Sequence, residues 1–191
     1  MSPKIIRYTA LMVIVASLAL LVSDINTHGP KHPPTPAPPP QDVQSEILTK
    51  RYIAALDVAR VFGRSQGCEN ADPKLITAIA IEALNDDLDP RILAATVAVE
   101  SACDPLAVSS RGALGLTQVM PKIWKAKFDF TGSVNLLNPN DNLHAGATIL
   151  SDLIKQYGVV NGVRRYNGVG VGCDTCDGGY VSKIVALAGR R

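Results

Sequence analysis

Glu100 closes an apolar run, PRILAATVAVES (90–101), and is the only acid in it. It follows Leu93 and Val97 by seven and three residues, spacings that put it on a packing face if the run is helical. Burial disfavours a charged carboxylate, and near a helix C-terminus the negative end of the dipole adds to that. Both influences raise its pKa. A glutamic acid kept protonated near neutral pH can give its proton to a glycosidic oxygen. The same side chain could instead pair with Arg91 or Arg111, or reach solvent at the helix end. Just beyond it, SSRGALGLTQVMP (109–121) sets Ser109, Gly112, Gly115, Gln118 and Met120 in a stretch of small and amide-bearing residues.

The elements that must position these residues are mostly helical. Asp72-Pro73, Asp89-Pro90 and Asn138-Pro139 each place a good N-cap before a proline suited to the first helical position. The period predicts helices near 43–65, 73–86, 90–101, 121–127, 139–157, 160–167 and 180–189. Gly158 should end the fifth of these, and Asn167-Gly168 the sixth. Only residues 106–119 read as able to hold short strands. The expected architecture is a mainly α domain over 43–191 with one small β or irregular insertion.

The chain of 191 residues has 19 basic and 17 acidic side chains, a net charge of +2 that points to no nucleic-acid partner. Aromatics are 5% of the residues, too few for base stacking or an aromatic cage. Residues 1–28 differ from the rest: Lys4 and Arg7 precede an apolar run from Thr9 to Val22, with no A-x-A cleavage pattern after it. They read as an uncleaved signal anchor in the inner membrane, leaving the body on the periplasmic face in a bacterium, with a cleaved signal peptide and a body free in the periplasm as the alternative. Residues 29–42 contain GPKHPPTPAPPP and read as an extended linker of about 35 Å over that stretch. His28 and His32 flank its start without a helix to hold both on one face. Cys68, Cys103, Cys173 and Cys176 form an even set, which in an exported domain reads as two disulfides. Of the three pairings, Cys68 with Cys103 is favoured, leaving CDTC to close a small loop. No convincing metal-ligand set is seen, His144 reads as surface or packing, and no cofactor is expected.

Three blocks together resemble the soluble lytic transglycosylase family. They are Glu100-Ser101 followed by Ser109 to Pro121, then NPNDNLHAGATILSDLIKQYG (138–158), then Arg165-Tyr166-Asn167-Gly168. The resemblance covers roughly residues 75–188 and implies a lysozyme-like fold of the goose-type and transglycosylase kind. It also implies that Glu100 is the single catalytic acid/base and that Ser109 lies near the N-acetyl group of the sugar bearing the scissile bond. By the same resemblance Gln118, Gly115 and Met120 belong to the glycan cleft, and Tyr166 and Asn167 face the glutamate. Gly112 and Gly115 would let the turn pass close to the glycan. Thr117 stands where the family usually has Met, which would shorten and polarise one wall of the site.

Most glycosidases need two carboxylates. No second one here has a distinctive context, since Asp104, Asp129 and Asp141 sit at turn or cap positions. The resembled family needs none, because the substrate's N-acetyl group can assist. The implied substrate is the peptidoglycan glycan strand and the implied product a 1,6-anhydro-muramoyl end. Two other readings remain: a goose-type hydrolase on the same fold, and a weakly catalytic wall-binding module of a secretion, conjugation or phage assembly.

Overall fold

The computed structural model describes residues 39–129, 134–169 and 177–189. The signal-anchor segment 1–28, most of the linker and the CDTC pair lie outside them. Among the described residues six helices follow in order: α1 (Gln41–Phe62), α2 (Pro73–Asn85), α3 (Pro90–Ser101), α4 (Pro121–Trp124), α5 (Pro139–Tyr166) and α6 (Tyr180–Gly189). Among the described residues none of them is long and apolar enough to cross a membrane.

The helix starts follow the caps. Asp72 accepts the Lys74 amide at 2.8 Å, Asp89 the Arg91 amide at 2.9 Å, and Asn138 the Asn140 amide at 2.9 Å, with proline next in each case. Gly158 leaves the helical region (φ 75°, ψ 166°) and ends one helix as expected, so α5 is two helices meeting at a break. The second arm folds back tightly: a side chain at Gly162 would meet the Ile154 backbone at 2.7 Å. Residues 106–119 form no strand. Their pairing is limited to the isolated bridges Val108–Leu114 and Leu114–Val119.

α3 is the centre of the domain. Leu93 to Ala98 are all buried, and α1, α2 and α6 pack around this helix. Full burial of a Leu or Val contributes about 1.5–3 kcal/mol, so Leu93, Val97, Val58, Ile79 and Ile184 tie α3 to its three neighbours. A smaller cluster, Val119, Leu136, Ala145 and Ile149, joins the 106–137 insertion to α5, and Tyr166 packs against both clusters. Cys68 and Cys103 are joined as a disulfide, the favoured pairing, with their Cα atoms 5.4 Å apart.

Candidate active site

Glu100 lies in the last turn of α3, which ends at Ala102 in the left-handed region (φ 49°, ψ 39°). Cys103 follows, also at positive φ (67°). The turn is held from outside by the disulfide and by Gly67, where a side chain would meet the Ala102 Cβ at 2.8 Å. Neither arginine weighed as a partner is bonded to the glutamate. Arg91 instead turns back on its own cap, donating to Asp89 Oδ2 at 2.6 Å.

The partner that Glu100 does have is Tyr180, the first residue of α6, whose hydroxyl donates to Glu100 Oε1 at 2.6 Å. Burial pushes the Glu100 carboxyl above the usual carboxylate range, and this hydrogen bond, which favours the charged form, pulls it partly back. Tyr180 is 7% exposed. Burial first and the Glu100 charge second hold its own pKa well above the ordinary value, so it stays a donor. Its position is fixed by Asp177, whose two carboxylate oxygens accept the Gly179 and Val181 amides at 2.9 and 3.2 Å.

Tyr166 approaches the same centre from the end of α5. Burial and the Glu100 charge raise its pKa also, and its hydroxyl donates to the Thr117 carbonyl at 2.8 Å. Tyr166 therefore faces the glutamate's field while pinning the loop. Asn167 does not join them: its amide points toward the Asp177 carbonyl, 3.5 Å away.

The loop behind the site is organised by Asn142, a fully buried residue of α5. Its Oδ1 accepts from the Thr117 amide (2.8 Å) and hydroxyl (2.7 Å), and its Nδ2 donates to the Leu114 and Leu136 carbonyls (2.8 and 2.9 Å). Gly115 (φ 71°) is where this hub and the loop come closest, since a side chain there would strike the Asn142 amide and the Leu136 carbonyl. The close approach that Gly115 allows is thus internal to the protein. Gly112 has positive φ (82°) with open space around it. Thr117 is fully buried between Asn142 and Gly146, so its side chain forms no wall of an open site.

Gln118 adopts a left-handed conformation (φ 51°) that costs an ordinary residue about 1–2 kcal/mol. Its Nε2 donates to the Gly115 and Ala107 carbonyls at 2.9 and 3.1 Å, closing the loop. Ser109 accepts the Ala113 amide on its Oγ at 3.0 Å, which makes the turn before it. Met120 is half-buried and stands at the N-cap position of α4 without a side-chain capping bond. The structure therefore brings Glu100 and Tyr166 together, places Gln118, Gly115 and Ser109 in one loop, and adds two residues that sequence reasoning missed. Asn142 lay within the quoted 138–158 block, in the N-P-x-x-N spacing. Tyr180 follows Gly178-Gly179 at a helix start, and only a tertiary contact links it to a residue 80 positions earlier. The side chains that come within ligating distance of one another, Glu82, Asp86 and His144, belong to α2 and α5 and not to this site.

A protein of Enterobacteria phage PRD1 described as a transglycosylase is 39% identical over 75 residues, 39% of this chain and 27% of the phage protein. The chain thus spans about a quarter of that relative's length. Residues 77–171 match the transglycosylase SLT domain, a range that holds Glu100, the loop and Tyr166. These residues form a lysozyme-like domain that belongs to the transglycosylase SLT family.

Proposed function

We propose that this protein is a peptidoglycan lytic transglycosylase in which Glu100 is the only acid/base. The observation that carries this reading is the half-buried Glu100 with a raised pKa, set against a tyrosine donor, inside an SLT-family domain. Among the described residues no second carboxylate contributes to the Glu100 shift. The nearby Asp177 has both oxygens committed to backbone amides. A single-carboxylate scheme with substrate assistance suits such a site.

In that scheme the Glu100 carboxyl protonates the bridging oxygen between N-acetylmuramic acid and N-acetylglucosamine. The C1–O bond breaks, and the N-acetyl group stabilises the positive centre at C1. The carboxylate then takes the proton of the muramic 6-hydroxyl as that oxygen closes on C1. A 1,6-anhydro ring forms, Glu100 recovers its proton, and no water is consumed. Ser109, Gln118 and Met120 are proposed to border the glycan, on a loop that Gly115 lets close against Asn142, with Tyr166 and Tyr180 orienting the acid. The sequence of residues 1–42 supports tethering of the body at the periplasmic face of the inner membrane. The transglycosylase of a phage among its relatives favours a phage-related role.

Digestion of purified sacculi by the full chain, followed by mass spectrometry, tests this. The native protein should release anhydro-muropeptides, and Glu100→Gln should lower the rate by at least about 100-fold, the scale of a lost general acid. Reducing-end muramic acid in place of the anhydro product would select the hydrolase. Wall binding without turnover in the native protein would select the binding module.

A further inference from the structure

We propose that Glu82, Asp86 and His144 form a binding site for one divalent cation of the zinc class, joining the end of α2 to α5. Glu82 and Asp86 are one turn apart in the last turn of α2 and at its C-cap, where the helix dipole favours a cation. His144 is on the facing surface of α5. One ligating atom from each of the three lies within 4.8 Å of the others. The His144 Nδ1 is already 2.7 Å from Glu82 Oε1.

The hydrogen-bonded contact between Glu82 and His144 does not account for the third residue. Asp86 Oδ1 accepts from the Thr148 hydroxyl at 3.2 Å, but Oδ2 is closed to solvent and has no hydrogen-bond partner. A buried carboxylate oxygen left unmatched is costly, and a cation is the natural counterpart. Asp86 is also held in place: its carbonyl accepts from Ser151 Oγ at 2.6 Å and Lys155 Nζ at 3.2 Å. Such outer contacts are what orient a metal ligand.

One imidazole nitrogen and two carboxylates suit zinc or a neighbouring first-row ion better than magnesium or calcium, which take oxygen ligands. Tetrahedral ligation at about 2.0–2.1 Å puts ligand atoms about 3.4 Å apart. A separation at the 4.8 Å limit must therefore close by about 1.4 Å, a rotamer adjustment open to His144, whose side chain is 62% exposed. That exposure leaves the fourth position to water.

The test is titration of the full chain, stripped with EDTA and dialysed, with zinc chloride, read by calorimetry and by the thermal transition. One zinc per chain should bind with micromolar or tighter Kd, and Tm should rise by about 5 °C at a hundredfold excess over Kd. His144→Ala and Asp86→Asn should each weaken binding at least tenfold and abolish the Tm rise. The exposed position of His144 keeps its variant folded, which the transition in EDTA verifies. Undiminished zinc binding in His144→Ala would assign the ion to His28, His32 or the CDTC pair and overturn the proposal. So would the absence of zinc binding below about 100 µM, or an equal Tm rise with calcium and none with zinc.

Discussion

Glu100 is under two opposed influences, burial that favours its neutral form and the Tyr180 hydroxyl that favours its charged form. The balance matters because a general acid is active only below its own pKa, whereas the base it becomes after proton transfer must still be able to accept. At 2.6 Å the O–H to carboxylate contact is of the short, charge-assisted kind. Tyr180→Phe removes the donor and leaves the burial. The Glu100 pKa should then rise further, so the alkaline limb of the kcat/KM profile should move to higher pH. The rate at the optimum should fall by about tenfold as the carboxyl loses its fixed orientation. A pH–rate profile on sacculi, compared between the two proteins, checks both. An alkaline limb that stays put or moves to lower pH would mean that the hydroxyl does not hold the charged form.

At the scale of elements, the helix starts could be read in advance because each is written locally, in an Asp or Asn followed by Pro. Glu100 could be read for the same reason: it is one acid at a fixed phase in an apolar run. What could not be read depends on distant partners. Tyr180 meets Glu100 only because α6 packs along α3, and Thr117 is buried only because Gly146 leaves room for it. The 106–119 stretch reads as able to hold short strands, yet four of its backbone groups bond to the Asn142 and Gln118 side-chain amides, and its pairing stops at two isolated bridges. Asn142 is thus the bolt between α5 and the loop. Asn142→Ala would leave the Thr117 amide and the Leu136 carbonyl unmatched in a buried place, while the Leu114 carbonyl keeps the Val119 amide. At about 1–3 kcal/mol for each unmatched group, the loss should be about 3 kcal/mol or more. Urea unfolding followed by circular dichroism measures it, and a loss under about 1 kcal/mol would show that the loop is held by other means.

For the domain as a whole, the acid is carried by a helix whose two ends are secured differently. The start of α3 is capped by Asp89, and its sides are packed by α1, α2 and α6, so the helix axis is fixed by burial. Its end is held differently: Ala102 and Cys103 both sit at positive φ, a pair of unfavourable conformations directly after the turn that carries Glu100. The Cys68–Cys103 bond compensates for this by closing the segment that contains α2 and α3, a sequence separation of 35. A loop of that length contributes about 3–4 kcal/mol through the entropy it removes from the unfolded chain. The double variant Cys68→Ser with Cys103→Ser should therefore lose about that much in a denaturant titration. It should also lose rate under conditions where it remains folded, because the turn that sets the Glu100 carboxyl has lost its outer clamp. A variant that lost stability but kept the full kcat would show that packing along α3 alone positions the acid, and that the disulfide serves only the fold.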